Sequence, residues 1–76
     1  MADADLILYL ERRLSNGQWR AVAEELAEQA GIRAIKPVAR QSGRLVHVRY
    51  DPGQWSPATV GAAARSMGFP NRVAAL

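Results

Sequence analysis

The sequence predicts an α+β sandwich of order βαββαβ, and three observations predict it. Two stretches carry apolar residues at helical spacing. Four short runs rich in Leu, Ile, Val and Tyr flank them. Of the connections between strands, only the middle one is short enough for a hairpin, so each helix sits inside a crossover. The expected result is a four-stranded antiparallel sheet in the order 4-1-3-2 with both helices on one face.

The first strand is Leu6 to Leu10, apolar on both faces as a central strand requires. Glu11, Arg12 and Arg13 carry the chain to a turn cluster at Ser15, Asn16 and Gly17. In the first helix Trp19, Val22, Ala23, Leu26, Ala27 and Ala30 form one apolar stripe, opposite Arg20, Glu24, Glu25, Glu28 and Gln29. Ser15 followed three residues later by Gln18 matches a capping box, with Asn16 as an alternative cap. Gly31 is a left-handed stop, followed by apolar Ile32.

The second strand is expected from Ile32 to Arg40, at a sheet edge because Pro37 lacks an amide donor. Gln41, Ser42 and Gly43 form the hairpin turn. The third strand, Arg44 to Tyr50, alternates: Val46, Val48 and Tyr50 on one face, Leu45, His47 and Arg49 on the other. Ser56 and Pro57 open the second helix as cap and first helical residue. Its stripe is Val60, Ala63, Ala64 and Met67, and Gly68 closes it. Phe69, Pro70 and Asn71 turn the chain into a last strand, Arg72 to Leu76. This order is that of a ferredoxin-like sandwich in a single domain, 1–76.

With 76 residues the chain is one small domain, burying roughly 60% of the surface its unfolded form exposes. Its apolar fraction of 49% is that of a globular protein rather than a disordered one. It has no cysteine, which excludes disulfides, zinc-thiolate sites and a thiol nucleophile. Four serines have a single histidine to serve them, and no acidic pair suggests a shared site, so the reading is non-enzymatic, without a cofactor. The acidic start, Asp3 and Asp5, is unlike a signal peptide, and no apolar run reaches the ~20 residues of a membrane span. The expected setting is cytoplasmic, or that of a soluble module within something larger, with no membrane partner.

The second half resembles the heavy-metal-associated domain of copper chaperones and metal-transporting P-type ATPases. The resemblance lies in the valine-rich strand from Val46 to Tyr50 ending in Asp51 and Pro52, in Ser56 and Pro57 opening a helix, and in Met67, Gly68 and Phe69. The Gly31 to Ile32 step is similar to that family's Gly-Val step, and the likeness in element order spans essentially the whole chain. In the family a Met-x-Cys-x-x-Cys loop at the start of the first helix holds the metal. Counting back from Gly31 puts its cysteines at Ser15 and Gln18, with the methionine position at Arg13 or Leu14. Two thiolates hold soft Cu(I); a hydroxyl and an amide do not. The resemblance therefore implies a binding or regulatory module in heavy-metal transport or homeostasis, with thiolate metal binding lost. The loop residues Arg12, Arg13, Asn16, Gly17 and Trp19, together with Phe69, would meet a protein partner.

A second surface is expected on the open sheet face. Ile7 and Tyr9 from the first strand join Leu45, His47 and Arg49 from the third in an apolar, aromatic and basic patch. RNA-recognition domains of this topology keep their stacking residues there, but Gly43 to Tyr50 lacks their aromatic motif. The alternatives are a partly covered face, a protein or self-association surface, and a single-stranded nucleic-acid platform. His47 alone makes a poor metal site, because a first-row ion wants three or four ligands. Nine of the ten basic residues are arginine, and the net charge is +3. Arg12, Arg13 and Arg20 gather at the start of the first helix, where they act as solubilising residues or receive an anion. Trp19, on the apolar stripe of the first helix, is assigned to the core or to packing of the loop. Trp55 is assigned as a lid on the end of the sandwich or, alternatively, as an exposed binding anchor.

Overall fold

The computed structural model describes residues 2–38 and 44–76. The chain runs β1 (Ala4–Leu10), α1 (Asn16–Ala27), β2 (Ile32–Pro37), β3 (Leu45–Tyr50), α2 (Pro57–Ser66) and β4 (Asn71–Ala75). The strands form one sheet in the order β2-β3-β1-β4, with every neighbouring pair antiparallel. This is the expected ferredoxin-like α+β arrangement. The hairpin turn expected at Gln41 to Gly43, and the end of the second strand expected at Arg40, lie outside the described residues.

Pairing of β1 with β3 builds the core. Leu6 stands opposite Val48 and Leu8 opposite Val46, and all four side chains are fully buried beneath the helices. Leu10, Tyr50, Ile32, Val60 and Ala64 complete the buried cluster. Trp19, Ile35, Trp55, Phe69 and Val73 pack against its margin. On the other face of the same strands, Ile7 stands opposite His47 and Tyr9 opposite Leu45. The edge strand β2 carries Pro37 and a register shift between Ile32 and Ala34.

Both helices begin with reciprocal caps. The Ser15 hydroxyl accepts from the Gln18 amide at 3.2 Å, and the Gln18 side chain accepts from the Ser15 amide at 3.0 Å. Asn16 is thus the first helical residue rather than the cap. Ser56 and Thr59 make the same exchange at α2, with threonine in the role of Gln. α1 ends at Ala27, a turn earlier than the apolar stripe suggests. Ala27 and Ala30 are exposed, and only Val22 and Leu26 of the stripe are buried. Two exposed alanines bury too little surface to hold a further turn against the approach to Gly31, whose φ is +89°.

Gly31 is where the β3–α2 loop closes one end of the sandwich. Its carbonyl accepts from the Asp51 amide at 2.7 Å, and the Trp55 indole donates to the Ala30 carbonyl at 2.8 Å. A Cβ on Gly31 would lie 3.0 Å from both Gln54 and Trp55 side-chain atoms. Of the two assignments for Trp55, the lid is therefore the observed one.

A second close approach joins α2 to β4. A Cβ on Gly61 would stand 2.6 Å from Val73 Cγ2 and 3.1 Å from Asn71 Oδ1. Asn71 is buried, and its amide donates to the carbonyls of Gly61 and Phe69. In an open helix, Gly→Ala stabilises by about 0.5–1 kcal/mol. Here overpacking reverses the sign, and Gly61→Ala is expected to cost about 1–3 kcal/mol. Urea denaturation measures this, and combining the change with Val73→Ala should recover part of the loss through non-additivity.

Candidate functional site

The strand period places the open-face residues. Successive side chains alternate between faces, so burying Leu6, Leu8 and Leu10 turns Asp5, Ile7 and Tyr9 outward. The neighbouring strands add His47 and Arg49 from β3, Ala34 and Lys36 from β2, and Arg72 and Ala74 from β4, all set by the register. The five residues expected there from sequence, Ile7, Tyr9, Leu45, His47 and Arg49, do share this face. Tyr9 is the most exposed large apolar side chain within the strands of this face, at 45%.

One end of the face is an ion-pair cluster. Asp5 Oδ1 lies 3.0 Å from His47 Nε2 and accepts from Arg49 Nε at 3.1 Å. The Arg49 hydrogen bond is the main reason the Asp5 carboxyl is held below its ordinary value of 3.8, with charge from Arg49 and His47 adding to it. His47 thus faces a carboxylate and a guanidinium. Among the described residues, no three His, Asp or Glu side chains come together as a metal site would need.

The other end, where β1 leaves the sheet, is an open depression of about 760 Å³ lined by Tyr9, Leu45, Glu11, Arg13, Arg44 and Arg72. Backbone bonds from Leu10 to the Arg44 carbonyl and from Glu11 to the Pro70 carbonyl hold its rim. Among the described residues, Arg13, Arg44 and Arg72 have no carboxylate within ion-pairing distance.

A smaller cleft of about 170 Å³ adjoins it, lined by Leu14, Phe69 and Pro70 with Arg12, Arg13 and Gln18. Arg12 reaches across from the start of α1 to the Gly68 carbonyl at 3.4 Å. Phe69 thus lies beside the loop that carries Arg12 and Leu14. Asn16 and Gly17 are exposed on the first turn of α1 and do not line the cleft, and Trp19 packs half-buried against the core. Leu10 and Arg13 line both concavities, so the loop and the sheet face, separate in the sequence reading, meet at the end of β1.

The sequence reading missed Asp5, Arg44 and Arg72 as members of this surface. Asp5 was legible, because Asp5, Ile7 and Tyr9 alternate with buried leucines. Arg44 and Arg72 arrive through strand order, which no local pattern announces. Among the described residues, no helix is long and apolar enough to cross a membrane. The chain matches no protein-family model and no curated protein.

Acid should weaken the fold through its carboxylates. Asp51 is also held below 3.8, chiefly by the Gln54 side chain and the Gly53 amide, with Arg33 adding charge. A carboxyl with a depressed folded pKa contributes stability that is complete above its unfolded pKa. That contribution is lost as pH falls through the folded value. The urea midpoint should therefore drop below about pH 4. Asp5→Asn should lower the midpoint at neutral pH and flatten its fall in acid. An acid limb unchanged in the variant would remove Asp5 from this account.

Proposed function

We propose that this chain is a non-enzymatic binding module of the heavy-metal-associated type, in which the metal loop has become a docking surface. A place in heavy-metal transport or homeostasis, and a cytoplasmic setting, come with that resemblance. The observation that carries the reading is the reciprocal cap at Ser15 and Gln18. The two positions that match the family's cysteines spend their polar groups on each other's backbone amides. Nothing in that pair resembles the thiolates Cu(I) prefers.

What remains at the head of α1 is a small apolar cleft edged by Arg12 and Arg13 and floored by Leu14 and Phe69. Its size suits one apolar side chain of a protein partner, with the arginines answering acidic residues around it.

Restoring the thiolates tests the reading. The unaltered chain should show no submicromolar one-to-one binding of Cu(I), Zn(II) or Ni(II) by calorimetry. The double variant Ser15→Cys, Gln18→Cys should lose about 1 kcal/mol with its cap and gain tight Cu(I) binding. A folded double variant that fails to bind Cu(I) overturns the assignment of the loop. Tight metal binding by the unaltered chain overturns the claim of a lost site.

A further inference from the structure

The depression around Tyr9 shares Arg13 with the cleft at the head of α1 and adds two arginines, Arg44 and Arg72, that the docking role does not use. We propose that this end of the open sheet face binds single-stranded nucleic acid, a base stacking on Tyr9 and the backbone phosphates lying on Arg13, Arg44 and Arg72. The proposal goes beyond the docking role and does not rest on it.

Three observations carry it. The first is the placing of the rings. Tyr9 on β1 and His47 on β3 lie on the two adjacent central strands and on one face, as diagonal neighbours across the Ile7–His47 and Tyr9–Leu45 pairs. Such diagonal neighbours are about 7–8 Å apart, within one continuous platform. Tyr9 keeps 45% of its surface exposed, although Leu45 and Arg72 flank it on both sides. Leaving an aromatic ring in water is unfavourable, and a base has a flat apolar face that covers it.

The second is the charge distribution. The sheet face and the β1 end carry Lys36, Arg49, Arg12, Arg13, Arg44 and Arg72 against Asp5 and Glu11, while Arg33 is paired with Asp3 and Asp51 at the far end. The helix side carries Glu24, Glu25 and Glu28 against Arg20 and Arg65. The positive charge is thus gathered on the side that holds the exposed ring, and the complementary ligand is a polyanion.

The third is the chemistry of the cations. The three that ring Tyr9 are all arginine, whose planar guanidinium pairs with phosphate through two hydrogen bonds and stacks on bases. An acidic peptide would satisfy the arginines and leave the ring uncovered. A duplex hides its base faces inside the stack, out of reach of a broad sheet.

Fluorescence anisotropy with labelled oligouridylate and oligodeoxythymidylate, at several salt concentrations, tests the proposal. Three phosphate contacts predict a log–log salt slope near −2, at about 0.7 per phosphate on a single strand. Tyr9→Ala should weaken binding roughly tenfold while Tyr9→Phe retains it. Arg72→Ala should reduce the slope by about 0.7, and Arg65→Ala on the helix side should change nothing. Circular dichroism checks that each variant is folded. No binding at low salt, or an affinity unmoved by Tyr9→Ala, overturns the proposal. Polyglutamate binding as tight as the oligonucleotides, and equally indifferent to Tyr9, overturns it in favour of an acidic protein surface.

Discussion

Everything in this molecule depends on the register between β1 and β3. It sets Leu6 against Val48 and Leu8 against Val46, four of the largest fully buried side chains in the chain. At about 1.5–3 kcal/mol for each buried side chain, these four supply on the order of 10 kcal/mol, comparable with the whole stability of a small domain. A slip by one residue would turn one strand over, sending either Leu6 and Leu8 or Val46 and Val48 outward and burying Asp5, Ile7 and Tyr9, or His47 and Arg49, in their place. The energy that forbids the slip is hydrophobic and belongs to the core, yet it also fixes where Tyr9 and His47 stand. The open face therefore needs no interaction of its own to hold its aromatic and basic residues in position.

The two ends of the sandwich are treated differently. At one, the carbonyls of Ala30 and Gly31 accept from Trp55 and Asp51, and the Asp51 carboxylate ties back to Gly53 and Gln54. Little chemistry is left free there, because these polar groups are bonded to one another within and across the two loops. At the other end β1 runs out into Glu11, Arg12 and Arg13, and two concavities open with arginines at their rims. Unneutralised charge tends to destabilise a compact chain by self-repulsion. Under the proposed binding, the ligand supplies the counter-charge at the end where this charge gathers.

Much of this was legible in the sequence, for identifiable reasons. Alternation in β3 and the leucines of β1 carry a period of two, so the core face could be read residue by residue. Ser15 with Gln18 is a spacing signature, and spacing survives translation into structure because a helix start is local. The end of α1 was misjudged because Ala27 and Ala30 keep helical spacing without the bulk to enforce it. Asn71 looked like a turn residue, and it is instead the first residue of β4, buried where α2 comes close enough to exclude a Cβ at Gly61. Arg44 and Arg72 lie in register with nothing near them in the chain. They reach Tyr9 only because β3 and β4 flank β1, and that is a property of topology rather than of any window of residues.

The meeting of both concavities at Leu10 and Arg13 has a thermodynamic consequence. Arg13 edges the cleft at the head of α1 and also rings Tyr9. A protein seated in the cleft and paired with Arg13 takes one cation from the sheet face, and so lowers the attraction of that face for a polyanion. Linkage makes the effect mutual: an anion held by Arg13 lowers the cleft's affinity for the protein by the same factor.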